Sequence, residues 1–406
     1  MALITAAVAG SLAGVVATMA LTSPTSPTAP AAASRHAREP AITTTTTAPP
    51  SAPVVARPAI LLVWTSGGLP PGLAAQVAAL DGVTSVATVR GDETAMTGSL
   101  DAAGRPVDVL ADGWHVPLDT LAIEPASFAE FLDEDAAELV AGLGPGEALL
   151  TETSAALRRL ATGATIRLTT GEVTVAGVID DGSGAAAEVL VHADDAAVLD
   201  VNTERYLLVA HTGDRETLQR ALATELLEGK SVRFRTPAET AWLRHGDAVE
   251  PPAVMKTAFG EFAVRDRPGR DIEIWPAWVE RWIVTEAVPI LGEVRCHSSV
   301  IESLRAAMAE LEQADLAHLV DPGAYAGCYS PRRIGPGLPL SHHAWGAAVD
   351  LNVDGNPRGS FSTQDERLVE TMLRHGWTWG GTWLVPDPAH YEAPVAADMD
   401  ALGTDR

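Results

Sequence analysis

The sequence predicts an α+β protein of two folded modules behind an N-terminal apolar segment and a tether. Three observations carry this prediction. A length of 406 residues exceeds one ordinary domain. From residue 58 onward, short apolar runs that read as strands are interspersed with stretches of helical spacing. The tryptophans then divide the chain: Trp275, Trp278, Trp282, Trp345, Trp377, Trp379 and Trp383 crowd its C-terminal part, whereas the first 240 residues hold only Trp64 and Trp114.

Composition narrows the function. A hydrophobic content of 47% with 20% charged residues supports packed cores and excludes global disorder. The net charge is −25, lysine occurs only at Lys230 and Lys256, and no basic run is present. Phosphate backbones require clustered Lys and Arg, so nucleic acid is excluded as a partner.

In chain order, residues 1–21 (MALITAAVAGSLAGVVATMAL) carry no charge and are just long enough to span a bilayer. They read as a signal peptide or an uncleaved membrane anchor. The basic n-region of a signal peptide is missing, while a small-residue cleavage site lies in APAAAS, around Ala33. Either reading places the rest of the chain outside the cytoplasm. Residues 22–57 are rich in Pro, Thr and Ala, cannot bury enough apolar surface to offset chain entropy, and read as an extended tether.

The first folded module spans 58–240. AILLVW (59–64) is a fully apolar strand, and GLAAQVAAL (72–80) has helical spacing. ATIRLTTGEVTVAGVIDD (164–181) alternates as a hairpin with Thr170-Gly171 near its turn, and ETLQRALATELLEG (216–229) is an amphipathic helix closed by glycine. LPPGLAAQVAALDGVTSVATV (69–89) and EALLTETSAALRRLATGATIRLTTGEVTVAGVIDD (147–181) resemble the extracytoplasmic core domain of MacB/FtsX-type transporter permeases. That resemblance implies an α/β binding or force-relaying module, not an enzyme, with a membrane, divisome-like or transporter-like partner. His115 and His192 stand alone here and read as core or surface residues.

A linker at 241–254 includes Pro251-Pro252, which breaks a helix. The second module runs over 255–395, and a polar tail follows at 396–406. Its two cysteines, Cys296 and Cys328, suggest a disulfide in an exported protein; two buried thiols or metal ligands are the alternatives. In the chain-entropy model such a bond contributes about 3–4 kcal/mol.

Two segments of this module concentrate chemistry: SHHAWGAAVD (341–350) and DPAHYE (387–392). If AAVDLNV (347–353) is a strand, Ala347, Val349, Leu351 and Val353 share one face and Ala348, Asp350 and Asn352 the other. By itself this describes an ordinary amphipathic strand with a solvent aspartate. The second segment adds to it. Pro386 and Pro388 exclude regular pairing around Asp387, which puts that carboxylate on a turn. His390 and Glu392 then share a strand face opposite Tyr391, so Glu392 can orient the imidazole from behind. Two histidines and an aspartate leave a fourth position open, the pattern of a catalytic zinc site. Gly346 lets the backbone bend close to the metal.

S-x-H-x-x-G-x-A-x-D (Ser341 to Asp350), WGG-x-W (Trp379 to Trp383) and D-x-x-H-[FY]-E (Asp387 to Glu392) together resemble the zinc peptidases of the VanY-like D-alanyl-D-alanine carboxypeptidase and L-alanyl-D-glutamate endopeptidase group. GCYSPR (327–332) adds that group's upstream arginine. The resemblance covers about residues 255–393 and implies a Hedgehog/DD-peptidase-type domain with an antiparallel sheet. It implies one zinc per chain on His343, Asp350 and His390, with Asp387 as catalytic base. Arg332 would bind a substrate carboxylate or polarise the scissile carbonyl, with Ser341 also on the substrate side. The implied substrate is a peptidoglycan stem peptide, and the implied location is the membrane surface or cell wall. Three features depart from the pattern. His342 adjoins the ligand histidine without its spacing and reads as a rim residue. Asp387 stands where the carboxypeptidase branch tends to carry Glu, which favours the endopeptidase-like branch. Ser330-Pro331 separates Arg332 from Tyr329, and Arg333 lies beside it. A non-catalytic module that keeps the fold and binds wall peptide or a partner is the alternative.

Overall fold

The computed structural model describes residues 58–185, 187–239, 250–335 and 338–395. The apolar segment 1–21, the tether 22–57, most of the linker 241–254 and the tail 396–406 lie outside the described residues. Among the described residues no helix is long and apolar enough to cross a membrane.

The N-terminal region is a mixed α/β structure on one large sheet. Strand Ala59–Thr65 buries Leu61, Leu62 and Val63 and lies antiparallel between Glu204–His211 and Val232–Arg235. The strand Val83–Leu100 pairs in succession with Glu204–His211, Val116–Ile123 and Thr165–Leu168. Its last pairing closes a ring through Val189–His192, Glu147–Thr151 and Glu172–Ile179. Two of the ring's pairings are parallel, so the ring is neither a plain meander nor an alternating α/β wind. Leu118, Leu150, Ile166, Val175 and Val191 fill one core there, and helices Pro125–Ala129 and Glu134–Ala141 cover another with Phe128 and Val140.

The expected local elements are present. Helix Leu73–Ala78 follows the first strand, and Thr165–Leu168 and Glu172–Ile179 form the expected hairpin. The amphipathic helix starts at Arg215, capped by the Asp214 carboxylate on the Thr217 amide, and continues into a π turn at Leu222–Leu226.

The C-terminal core draws on residues 255–393. Helix Ile301–Gln313 buries Ile301, Leu304, Met308 and Leu311, which recur at one-face spacing. It packs with helix Glu366–Arg374, whose Leu368 and Met372 are buried. A three-stranded antiparallel sheet carries Ala348–Asp350, His390–Glu392 and Thr378–Trp379, with His390–Glu392 in the centre. Cys296 and Cys328 form a disulfide that joins the end of hairpin Ile283–Val288/Gly292–His297 to the segment approaching the site.

Two expectations change. Pro251-Pro252 begins a helix, Pro252–Phe259, because proline at the first helical position loses only an amide that has no helical partner. The strand expected over 347–353 ends at Asp350; Asn352 takes a left-handed conformation that breaks the ladder, and its side-chain amide donates to the Leu319 carbonyl and to Gln364 Oε1.

Helix Pro252–Phe259 joins the two regions. Lys256 leaves the C-terminal core and inserts among Arg158, Glu188 and the Pro117 carbonyl. Arg158 binds Glu188 at 2.5 Å and Glu261 at 2.6 Å, and Lys256 binds Glu188 at 2.8 Å. Glu188 also accepts the Asp119 amide at 2.9 Å. Burial pushes the Glu188 carboxyl up, but Lys256 and Arg158 outweigh it and hold it below its ordinary value. Nearby, His115 and Val264 exchange two backbone hydrogen bonds, and Trp114 meets Trp275 edge-on at 4.8 Å.

Removing one partner of a buried charge network leaves the others uncompensated. Lys256→Met is therefore expected to destabilise the protein by about 3–5 kcal/mol in urea unfolding. Arg305→Ala, which breaks exposed pairs with Glu286 and Glu302, is expected to change stability little.

Candidate metal centre

His343 sits in the single turn His342–Trp345, which Gly346 ends at φ 67°. A Cβ on Gly346 would lie 2.7 Å from the His297 amide nitrogen, and the Gly346 carbonyl accepts that amide at 3.0 Å. Glycine is therefore required by the strand beneath the turn, not by approach to a metal as the sequence suggested. His343 is buried, and its Nδ1 is 3.0 Å from the Cys328 carbonyl. An imidazole nitrogen facing a carbonyl must carry the proton, so Nε2 presents its lone pair to the site.

Asp350 and His390 are direct partners across the antiparallel ladder, as are Ala348 and Glu392. Val349 and Tyr391 pair between them and point into the core. The pleat thus delivers a carboxylate and an imidazole side by side. Asp350 Oδ1 is 2.8 Å from His390 Nδ1, Asp350 Oδ2 is 3.2 Å from His343 Nε2, and the two ring nitrogens are 3.3 Å apart. Four ligands at zinc–nitrogen and zinc–oxygen lengths around a tetrahedron stand about 3.3 Å from each other. Among the described residues this is the one group of His, Cys, Asp and Glu side chains able to hold a metal ion. The donor set fits zinc in type and spacing.

Electrostatics agree with a cation site. Burial opposes the Asp350 carboxylate, yet the two imidazoles beside it, His390 as hydrogen-bond donor, hold its pKa well below the usual range. Burial likewise opposes a charged His390, but Asp350 and Glu392 raise it to about 9. Burial lowers His343, which is the neutral member. Without metal, a proton on His390 supplies the positive charge that the cluster requires.

Glu392 lies behind His390, with Oε1 3.5 Å from Nε2, as its place on the strand face predicted. The same oxygen is 2.9 Å from His342 Nδ1. His342 is accordingly no rim residue: it packs against Glu392 on the far side of the site. Ser341 is buried beside the arginine pair, its amide donating to the Arg332 carbonyl at 3.1 Å.

Asp387 stands on its turn with its amide on the Gly380 carbonyl at 2.9 Å and its carbonyl accepting the His390 amide at 3.1 Å. A Cβ on Gly380 would meet the Asp387 carbonyl at 2.8 Å, and Trp379 Nε1 donates to the Pro388 carbonyl at 2.8 Å. The WGG-x-W residues thus brace the Asp387 turn. Burial raises the Asp387 pKa, which favours proton acceptance. Arg332 enters from the opposite segment, with Nη2 3.9 Å from Asp350 Oδ2.

Arg358 escaped sequence reasoning. Its Nε lies 4.0 Å from Asp387 Oδ2, on a loop held by Gly359 donating to the Pro386 carbonyl. The available signal was an arginine in the unpaired segment after Asn356-Pro357, between the two motifs. His115 and His192 are engaged elsewhere, His115 against Val264 and Asp266 and His192 as a cap on the Asp194 amide.

Comparison with known proteins locates this chemistry. Residues 335–393 match the family model described as D-alanyl-D-alanine carboxypeptidase. The matched span contains His343, Asp350, Asp387, His390 and Glu392 and begins after Arg332. Comparison with curated proteins finds no match. Among solved structures, the chain is similar to the periplasmic region of MacB from Actinobacillus actinomycetemcomitans, with 14% identity, 44% of this chain and 88% of that chain covered, and a TM-score of 0.30. It is also similar to the extracellular domain of the noncanonic ABC-type transporter YknZ from Gram-positive bacteria, with 13% identity, coverage of 40% and 87%, and a TM-score of 0.25.

Zinc titration checks the ligand set. The full chain is expected to bind close to one zinc, and His343→Ala and His390→Ala to abolish binding. His342→Ala should keep the stoichiometry and weaken affinity by about 10–100-fold, through Glu392. At pH 7, below the metal-free His390 value of about 9, loading should release close to one proton, and affinity should fall with falling pH. Loss of zinc in His342→Ala with retention in His343→Ala would overturn the assignment.

Proposed function

We propose that the chain is a zinc-dependent peptidase that hydrolyses peptidoglycan stem peptides, at a D-Ala-D-Ala or an L-Ala-D-Glu type bond. The observation that carries this reading is the convergence of His343, Asp350 and His390, with Arg332 3.9 Å from Asp350 and Asp387 on the turn that leads into His390. The family match over residues 335–393 supports peptidase chemistry.

His343 Nε2, His390 Nδ1 and an Asp350 oxygen would hold the ion. When bound there, zinc supplies Lewis acidity, polarising a carbonyl and lowering the pKa of water to about 7. Asp387 accepts a proton from the attacking water on its carboxylate and returns it to the leaving amine. The Arg332 guanidinium offers planar donors to a substrate carboxylate or to the developing oxyanion. Glu392 and the Cys328 carbonyl fix the two imidazoles, so the donors need not reorganise during reaction. Asp387 in place of Glu favours endopeptidase-like cleavage, and stem peptides carry the free carboxylates that an arginine recognises.

The Cys296–Cys328 disulfide fits an oxidising compartment, in keeping with export and with action at the membrane surface or cell wall. A membrane, divisome-like or transporter-like partner for the N-terminal module belongs to the same proposal.

The test replaces the base without touching the metal. Asp387→Asn should retain zinc and lose about 10²–10⁴-fold in turnover of stem peptides. Asp387→Glu should keep part of the activity. Cleavage by Asp387→Asn at the wild-type rate would remove Asp387 from the mechanism. A zinc-loaded wild type that binds stem peptides but cleaves none of them would make the chain a binding module.

A further inference from the structure

Arg332 and Arg333 are chain neighbours that face opposite ways. The backbone around them is pinned: the Arg333 amide donates to the Arg270 carbonyl at 2.7 Å, the Ser341 amide to Arg332 at 3.1 Å, and the Ile272 amide to Pro331 at 3.2 Å. Arg332 pairs across with Asp271, and Arg333 with Leu340, as extended backbone. In extended backbone, consecutive side chains point to opposite faces. Arg332 accordingly reaches toward Asp350, while Arg333 turns away from the centre.

Arg333 turns into the N-terminal sheet. Its Nη1 donates to Glu93 Oε1 at 2.5 Å and to the Leu338 carbonyl at 3.1 Å, and its Nε to Asp266 Oδ1 at 2.9 Å. Glu93 belongs to the long strand Val83–Leu100, where it pairs with Asp119 across the ladder. The Arg333 side chain is 10% exposed and that of Glu93 15%, whereas Asp266 is 54% exposed. Glu93 is thus the sheltered carboxylate of the set, and the one contributed by the N-terminal module.

We propose that Glu93 is a positioning residue for substrate recognition: by fixing Arg333 it sets the direction of Arg332, which makes the N-terminal module a structural part of the peptidase site. This rests on the proposed role of Arg332 in binding substrate carboxylate. The physical basis is the rigidity of the two-residue unit. Any displacement of the Arg333 backbone carries Arg332 with it, and a buried guanidinium that loses the Glu93 carboxylate keeps only the exposed Asp266 as counter-charge. A spatially separate interaction module would not place a carboxylate on the arginine next in chain to the substrate arginine.

The experiment uses the full chain with zinc and the pentapeptide L-Ala-D-Glu-L-Lys-D-Ala-D-Ala, once with free carboxylates and once with them amidated. Glu93→Gln is expected to raise KM for the free-acid peptide by about tenfold, a change of ~1.4 kcal/mol, with zinc content and kcat held and the amidated peptide little affected. Glu93→Asp should recover part of the difference. In an Arg332→Ala background, Glu93→Gln should add nothing further, an outcome that general destabilisation would not produce. Binding of both peptides to the zinc-free chain, measured by calorimetry, reads the same preference without turnover. An equal response of acid and amide, or an unchanged KM and affinity in Glu93→Gln, would overturn the proposal. If the wild type cleaves neither peptide yet binds the acid form in a Glu93-dependent way, the peptidase reading fails while the positioning role stands.

Discussion

Three electron-pair donors that face one another in a largely buried site impose the constraint on which the C-terminal region depends. His343 Nε2, His390 Nδ1 and Asp350 are drawn within hydrogen-bond distance of each other, and their lone pairs repel unless a proton or a cation lies between them. The surrounding structure holds them together against that repulsion. The ladder places Asp350 beside His390, and the Cys328 carbonyl fixes the His343 tautomer. Gly346 seats the His343 turn on the Cys296–His297 strand, while Gly380 and Trp379 hold the Asp387 turn close to His390. The disulfide ties Cys328 to that same strand, so the carbonyl behind His343 cannot drift away from the turn that it orients.

The site was largely legible because its donors lie in two short segments with fixed spacing. Strand alternation placed Asp350 on one strand face and His390 with Glu392 on another, and the ladder register brings the two faces together. What the spacing could not reveal was set by distant chain. His342 looked peripheral because its partner, Glu392, lies fifty residues away in sequence, at the far end of the paired strand. Gly346 looked like a metal-approach residue because the strand it touches, ending at His297, is also remote. Arg358 sits on a loop that a backbone bond from Gly359 ties to Pro386, twenty-seven residues on. In the N-terminal region, periodicity located the first strand, the hairpin and the helices, but closure of the ring by Val83–Leu100 and Thr165–Leu168 is a pairing between segments about seventy residues apart.

The relation between the two regions was the least legible feature. A proline pair and a change in tryptophan content read as a boundary, whereas Lys256, a few residues later, is buried among charges of the N-terminal sheet. Nothing in the local sequence marks Arg158, Glu188, Lys256 and Glu261 as one cluster, because its members come from three separate segments. Such a network is weak evidence for net stability, yet it strongly disfavours any other docking, since each charge is compensated only in this arrangement. Arg333 and Glu93 apply the same logic one residue from Arg332, which faces Asp350. The N-terminal sheet and the C-terminal region therefore make a single unit in which buried charges fix the geometry.

The central claim is that the C-terminal constellation is a zinc centre built from two imidazoles and one carboxylate. X-ray absorption at the zinc edge of the zinc-loaded full chain tests it most directly. The account predicts nitrogen and oxygen neighbours only, at about 2.0–2.1 Å, with imidazole scattering from two rings that falls to one ring or disappears in His390→Ala. Sulfur at about 2.3 Å, or a spectrum unchanged by His343→Ala and His390→Ala, would contradict it.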